Sequence, residues 1–190
     1  PLGMGTVRTL REILMVHPKG VEYGGIVSGH DRLPVLRDAK GQVLSFPPII
    51  NSREIGEVQV GDDHLFVEVT GTDLHMVALT LNIFAANLAD RGAVITPVEI
   101  QSPVKTAFGK RWHTPIDFGA PRTIPLKAIE TALGDALGSR DVTTALKSYG
   151  YTVKSAGPKV AVQLPPYRND LLHTVDVVED VAISQGYSRF

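Results

Sequence analysis

The hydrophobic period of the sequence changes at Gly71, and this change constrains the fold more than any other feature. Across residues 64–70 the side chains alternate between two faces, which is typical of a strand. Across residues 74–88 apolar residues recur three and four positions apart, which predicts a helix with one buried face. Residues 94–100 again favour a strand. This order predicts an α+β module whose helix packs across a sheet.

Shorter elements are predicted before this point. Residues 8–16 favour a helix that ends before Pro18, because a residue that precedes proline avoids the helical conformation. Strands are predicted at residues 23–28, 35–38 and 43–46. These elements define a first module over residues 4–103, built on a partial mixed sheet with a packed helix.

A second module is predicted at residues 124–190, connected to the first by a joint at residues 104–123. Proline and glycine residues in the joint break any hydrophobic periodicity that would predict a helix or a regular strand. Its aromatic residues nevertheless favour a ragged, partly buried hairpin. The second module reads as two helices, a hairpin around Gly157-Pro158, and a last helix from about Asp170. Two helices followed by a hairpin are typical of a winged-helix-like arrangement.

Composition and charge exclude several classes of protein. The 190-residue chain has a formal net charge of −1 and no cysteine, so disulfides and thiolate metal sites are excluded. A chain that grips nucleic acid mainly through phosphates normally shows a basic excess, which is missing here. The sequence contains neither a Walker-type loop nor a G-x-S-x-G motif. No apolar run approaches the roughly 18 residues that a membrane helix needs.

Glu68 is the first candidate for chemistry. It shares a strand face with Phe66 and Thr70 in an otherwise apolar run. A carboxylate held at a pocket floor can orient a water molecule or accept a hydrogen bond from a ligand hydroxyl. The structural alternative is a half-solvated strand face on which Glu68 pairs with a surface cation.

Two further segments have a functional and a structural interpretation. Thr70-Gly71-Thr72-Asp73 is a strand-to-helix turn whose side-chain oxygens could hold ligand groups beside helix N-terminal amides, or could simply cap the helix. Residues 46–52, F-P-P-I-I-N-S, contain two prolines without amide hydrogens, so the segment should line a cleft or pack under the sheet. The residues alone leave both choices open.

Four carboxylates mark the last predicted helix. Asp176, Glu179 and Asp180 share one helical face, whereas Asp170 can join them only from the helix start. Convergent carboxylates suit a hard cation such as Mg²⁺. The alternative is a solvated acidic face on which Asp170 caps the helix. The six histidines form no zinc-type pairing.

Four stretches resemble the β subunit of phenylalanyl-tRNA synthetase of the archaeal/eukaryotic type, in order and with sensible spacing. They are H-P-K-G-V-E-Y at 17–23, V-L-S-F-P-P-I-I-N-S at 43–52, L-F-V-E-V-T-G-T-D at 65–73 and P-P-Y-R-N-D-L-L-H-T-V-D-V-V-E-D-V-A-I at 165–183. The second and third are typical of the archaeal/eukaryotic branch, and the fourth of the family at large.

The resemblance implies two named modules and an assembly. Residues up to about Gln101 would be the C-terminal part of a B3/B4 editing module, inside which the chain begins, and residues from about Ile124 would be a winged-helix-like B5 module. In the family this subunit pairs with an α subunit in an (αβ)₂ assembly that attaches phenylalanine to tRNA(Phe) with ATP. The α subunit holds the aminoacylation centre, so we expect a cytoplasmic ligase segment that does not aminoacylate by itself.

The resemblance also implies site residues. An apolar pocket rejects the added hydroxyl of tyrosine only weakly, and the family therefore hydrolyses mischarged Tyr-tRNA(Phe) at a second site. By position Glu68 matches the acidic residue of that editing pocket, and its rim is matched by Asn51, Ser52, Thr70, Thr72 and Asp73. The family's Mg²⁺ ligands are matched by Asp170, Asp176, Glu179 and Asp180. We expect this metal site in the intact subunit and expect it to be weak or absent in this chain alone.

A function of a different class stays open. A shortened paralogue could serve as an RNA- or protein-binding module without catalysis. The winged-helix-like half favours nucleic-acid binding, but the helix predicted at residues 142–149 offers only Lys147 as a basic donor.

Overall fold

The computed structural model describes residues 1–119 and 121–190, which divide by their contacts into two units, residues 1–72 and 73–190. Each unit combines helices with small sheets, so the predicted α+β class is confirmed. Strand pairs in the described residues are antiparallel, in place of the mixed sheet expected for the first module.

The first unit begins with two short helices, α1 at Leu10–Val16 and α2 at Pro18–Tyr23, and a 3-10 turn at Gly24–Ile26. A capping box starts α1. The N–H of Glu12 donates to Thr9 Oγ1 at 3.2 Å, and the N–H of Thr9 donates to Glu12 Oε2 at 2.7 Å. Pro18 starts α2 at the first helical position, where its missing N–H removes no helical hydrogen bond.

The prediction of a strand at residues 23–28 is wrong, because Tyr23 ends α2 and the 3-10 turn follows at Gly24–Ile26. Their β-branched side chains favour a strand locally, but Pro18 begins a helix just before them. Gly20 then lets α2 approach α1 closely, since a Cβ at this position would lie 2.0 Å from the backbone oxygen of Ile13. Tertiary packing therefore overrides the local preference for a strand.

Three short strands form the sheet of the first unit, in the order β1–β2–β3. They are β1 at Leu36–Arg37, β2 at Val43–Phe46 and β3 at Ile50–Asn51. Asp38 closes the turn after β1, since its Oδ1 accepts from the N–H groups of Lys40 at 2.9 Å and Gln42 at 2.7 Å. The core of this unit consists of Ile13, Val27, Phe46 and Ile49.

Residues 64–70 belong to no helix and pair with no strand in the described part of the chain, so the prediction of a strand there is wrong. The alternation survives, because Val67 and Val69 are half-buried whereas Phe66 and Glu68 face solvent. Leu65 and Phe66 are 52% and 62% exposed. A strand requires a hydrogen-bonded neighbour, and side-chain alternation cannot replace one.

In the second unit, helix α3 at Leu74–Asp90 confirms the predicted periodic helix. Asn82, only 2% exposed, joins α3 to two loops. Its Nδ2 donates to the carbonyl oxygens of Ile116 and Pro166, both at 2.6 Å, and its Oδ1 accepts from the N–H of Ile116 at 3.0 Å. Helix α3 therefore packs in the second unit, whereas the sequence motifs place it in the module at residues 4–103. That motif-based division stays a prediction.

A hairpin follows α3, formed by β4 at Val98–Thr106 and β5 at Gly109–Thr114. The strand predicted at residues 94–100 thus starts at Val98. The predicted joint at residues 104–123 contributes the end of β4 and all of β5 to the hairpin. Phe108 lies in the turn between β4 and β5. Its ring centroid is 4.8 Å from that of His75 and 6.1 Å from those of Trp112 and Phe118. This aromatic cluster fixes the hairpin to the start of α3.

The rest of the second unit is a three-stranded sheet with three helices. The strands are β6 at Arg122–Pro125, β7 at Thr152–Ala156 and β8 at Lys159–Gln163, in the order β6–β8–β7. The helices are α4 at Leu126–Leu133, α5 at Ser139–Ser148 and α6 at Thr174–Gln185. Their shared core includes Ile124, Ile129, Leu146, Val160, Val162, Val177 and Val181. Across the described residues we find no helix with the length and apolar character needed to cross a membrane.

Candidate functional site

Glu68 is hydrogen-bonded to a buried hydroxyl group on strand β2. Ser45, in β2, is 6% exposed, and its Oγ donates to Glu68 Oε2 at 2.8 Å. Within residues 1–119 and 121–190, Glu68 makes no ion pair with a surface cation. One carboxylate oxygen is therefore oriented by the protein, and the side chain as a whole faces solvent. Such a carboxylate can accept a hydrogen bond from a ligand hydroxyl or orient a water molecule.

Ser45 is a site residue that the sequence reasoning missed. It stands inside the V-L-S-F-P-P-I-I-N-S motif as a hydroxyl flanked by Leu44 and Phe46. A buried hydroxyl usually has a hydrogen-bond partner, so its position in an apolar run was a usable signal. Its partner, 23 residues further along the chain, could not be identified from spacing.

Two predicted rim residues lie beside this pair. Asn51 is opposite Ser45 in the β2–β3 ladder, and its Nδ2 donates to the carbonyl oxygen of Gly56 at 2.9 Å. Ser52 is buried, and its Oγ accepts from the N–H of Ile55 at 3.4 Å. A Cβ at Gly56 would lie 2.4 Å from the carbonyl oxygen of Leu44, so only glycine permits this tight turn. The structure thus brings Asn51 next to Ser45, while Ser52 supports the turn.

The remaining predicted rim residues are less closely associated with Glu68. Thr70 follows Glu68 two residues later in the chain, and both Thr70 and Thr72 are exposed. Asp73 caps α3, since its Oδ1 accepts from the N–H of Met76 at 2.9 Å. The capping interpretation of Asp73 therefore has direct geometric support.

Two of the four predicted metal-binding carboxylates, Asp170 and Asp180, are hydrogen-bonded to an arginine. Arg168 donates to Asp170 through Nε at 2.9 Å and through Nη2 at 2.6 Å, and its Nη1 donates to Asp180 Oδ2 at 2.8 Å. The Tyr151 hydroxyl donates to the same Asp180 oxygen at 2.6 Å. Burial, followed by this hydrogen bond, raises the pKa of Tyr151, and the hydrogen bonds from Arg168 lower the pKa of Asp170.

The other two predicted ligands point to different partners. Asp176 Oδ2 accepts from the N–H groups of Leu172 at 2.7 Å and His173 at 2.6 Å, before the start of α6. The His173 hydrogen bond is the main reason why the pKa of Asp176 is lowered. Glu179 accepts from the Tyr187 hydroxyl at 3.4 Å.

The contacts of the four acidic residues do not suit a bound Mg²⁺ ion. In the part of the chain that the structure describes, no three His, Cys, Asp or Glu side chains group closely enough to hold a metal ion. The oxygens of Asp170 and Asp180 that would face a cation face a guanidinium, and Asp176 is bound to backbone amides. As arranged here, the four carboxylates do not fit the near-octahedral oxygen shell of Mg²⁺.

Arg168 is the second residue that sequence reasoning missed. It lies in the P-P-Y-R-N-D part of the fourth motif, two positions before Asp170. An arginine beside a set of carboxylates is a signal for a fork-like ion pair. Its second partner, Asp180, is brought close only by the packing of α6.

Comparison with known proteins shows which proteins this chain is similar to. Residues 122–187 match the tRNA synthetase B5 domain. The chain is 42% identical to the phenylalanine–tRNA ligase β subunit of Borrelia duttonii, an alignment that covers 100% of this chain and 34% of the relative. The chain is therefore similar to one part of that β subunit. It is also 38% identical to the β subunit of Treponema pallidum subsp. pallidum, over 100% of this chain and 32% of the relative.

A solved structure agrees with the phenylalanine–tRNA ligase relationship. An N-terminal fragment of the phenylalanyl-tRNA synthetase β subunit from Pyrococcus horikoshii superposes with a TM-score of 0.82 at 33% sequence identity. The match covers 98% of this chain and 52% of that fragment. The resemblance to the β subunit and the B5 module are thus confirmed, while the archaeal/eukaryotic branch stays a prediction. The chain spans about a third of the length of the curated relatives.

Proposed function

We propose that this chain works as part of a phenylalanine–tRNA ligase β subunit. In this proposal the subunit pairs with an α subunit in an (αβ)₂ assembly, which charges tRNA(Phe) with phenylalanine using ATP in the cytoplasm. The observation that carries the proposal is the alignment of the whole chain with such β subunits at 42% identity. The structural likeness to the Pyrococcus horikoshii fragment supports it. The archaeal/eukaryotic branch is proposed from the motifs at residues 43–52 and 65–73.

The first unit, on this proposal, contributes to hydrolytic editing of Tyr-tRNA(Phe). Tyrosine and phenylalanine differ by one hydroxyl, and a site that hydrogen-bonds this hydroxyl discriminates far better than an apolar pocket does. Glu68 would accept that hydrogen bond or orient the attacking water, and Ser45 would hold the carboxylate in one orientation. The 2.8 Å contact between a buried Ser45 and a solvent-facing Glu68 supports these roles. Asn51, Ser52, Thr70, Thr72 and Asp73 are proposed as rim residues.

Mg²⁺ has no assigned step in this function. For Mg²⁺ to bind the acidic residues in the intact subunit, Arg168 would have to release Asp170 and Asp180, which it now contacts at 2.6 to 2.9 Å. The proposed editing residues Glu68 and Ser45 belong to the first unit, whereas the four acidic residues belong to the second.

The test is deacylation of Tyr-tRNA(Phe) by the assembled α and full-length β subunits. We expect Glu68→Gln to slow hydrolysis at least about tenfold, since positioned acid–base groups typically contribute 10²–10⁴-fold. Ser45→Ala should give a smaller loss, because Glu68 keeps its charge but loses its anchor. The matched control is Glu57→Gln, a change at another exposed glutamate of the same unit. Equal deacylation rates for the Glu68 and Glu57 variants would contradict the proposed role.

A further inference from the structure

Asp170 and Asp180, two of the residues that match the family's Mg²⁺ ligands, are both hydrogen-bonded to the Arg168 guanidinium. Asp170 accepts two parallel hydrogen bonds from Arg168, and Asp180 accepts a third. The Arg168 and Asp180 side chains are only 21% and 10% exposed. Bidentate pairing of this kind is the strong form of the arginine–carboxylate contact.

The remaining contacts complete the cluster without a metal. Tyr151, buried under α6, donates its hydroxyl to Asp180 Oδ2 at 2.6 Å. The Arg168 guanidinium carbon also lies 5.4 Å from the centre of the Tyr151 ring, within the range of a cation–π contact. The aromatic ring and both carboxylates therefore face the same cation.

We infer that Arg168 is the resident cation of this acidic cluster, and that the unit carrying the B5 domain keeps its stability without a divalent metal. The guanidinium supplies the positive charge and the directed contacts that would otherwise come from Mg²⁺. It also blocks the metal, because the oxygens of Asp170 and Asp180 that converge are already hydrogen-bonded. Removing the guanidinium should both destabilise the unit and create a weak site for divalent cations.

The experiment uses the 190-residue chain and compares thermal melting in EDTA with melting in millimolar MgCl₂. Wild type should melt at the same temperature in both. Arg168→Met keeps the apolar stem of the side chain and removes the charged guanidinium. Its melting temperature in EDTA should therefore fall by about 4–10 °C, because breaking a partly buried ion pair leaves uncompensated charge. MgCl₂ should then restore part of the loss. Titration calorimetry should show saturable binding of Mg²⁺ to this variant and none to wild type up to millimolar concentration.

The matched control is Arg189→Met. Arg189 also forms an ion pair, to Asp135 at 2.9 Å, and a hydrogen bond to Gln185 at 2.6 Å, but neither partner is one of the four acidic residues. Its variant should melt within about 2 °C of wild type and show no response to MgCl₂. An Arg189 variant that matched the Arg168 variant in both respects would overturn the inference, because the effect would then be one of net charge.

Two measurements keep the inference testable if Arg168→Met does not fold. Arg168→Lys retains the charge but not the fork, so it should fold, melt between wild type and the methionine variant, and stay insensitive to MgCl₂. Wild type itself should show no saturable binding of Mn²⁺, used as a spectroscopic probe, up to millimolar concentration. Saturable Mn²⁺ binding to wild type together with a rise in its melting temperature would overturn the inference.

Discussion

Replacing Asn82 with alanine should loosen helix α3 from the rest of the second unit. The Asn82 side chain makes three hydrogen bonds at 2.6 to 3.0 Å to the backbone of Ile116 and Pro166 and is almost completely buried. Each such bond contributes about 1 kcal/mol net to stability. Alanine regains about 0.6 kcal/mol through its higher helix propensity. The expected loss is therefore about 2–3 kcal/mol in the free energy of unfolding.

The assay is urea unfolding of the chain, supported by thermal melting. For a unit of this size 1 kcal/mol corresponds to a shift of about 4 °C, so the melting temperature should fall by about 10 °C. Amide hydrogen exchange at Ile116 should accelerate as well, because its N–H donates to Asn82.

Asn87→Ala is the matched control for this prediction. Asn87 lies further along α3, is exposed, and donates to the carbonyl oxygen of Ile83 at 2.9 Å. Its loss should be offset by helix propensity, leaving a change within about 0.5 kcal/mol. If the two variants unfolded with equal free energies, the assignment of α3 to the second unit through Asn82 would be refuted.

Gly20, Asp170 and the lack of a nucleotide-binding motif in the sequence give three further predictions. Gly20→Ala should destabilise the first unit by at least about 2 kcal/mol in urea unfolding, since its Cβ would meet Ile13, whereas Gly25→Ala, with nothing within 4 Å, should not. Arg168 lowers the folded-state pKa of Asp170 below its ordinary value of 3.8, so this stabilisation is present above that pH and lost below it. Asp170→Asn should flatten the acid side of the stability–pH curve, and an unchanged slope would contradict this. Finally, the chain alone should give no phenylalanine-dependent ATP–pyrophosphate exchange above background.

Helices with many periodic residues were predictable from the sequence. Helix α3 shows its apolar face along most of its length, and Asp73 caps it as the turn residues suggest. The structure of residues 23–28 was not predictable from the sequence. Their β-branched residues favour a strand, whereas Pro18 and the close approach at Gly20 favour a helix. Residues 65–70 have the side-chain pattern of a strand, but the ladder depends on a neighbour that a local pattern cannot supply.

The candidate site was predictable only residue by residue. The motifs identify Glu68 and the four acidic residues, yet neither Ser45 nor Arg168 follows from them, because both act through contacts with segments that packing brings near. Helical spacing places Asp176, Glu179 and Asp180 on one face. The structure separates their roles, since backbone amides before α6 are closer partners for Asp176 than its acidic neighbours.

Accumulation of Tyr-tRNA(Phe) tests the central claim most directly. The assembled ligase, with the full-length β subunit, would be supplied with tyrosine, ATP and tRNA(Phe), and the plateau of mischarged tRNA measured. The account predicts almost no Tyr-tRNA(Phe) for wild type and for Glu57→Gln, a clear plateau for Glu68→Gln, and nearly unchanged phenylalanine charging in all three. A Glu68→Gln enzyme that accumulates no more Tyr-tRNA(Phe) than wild type would contradict it.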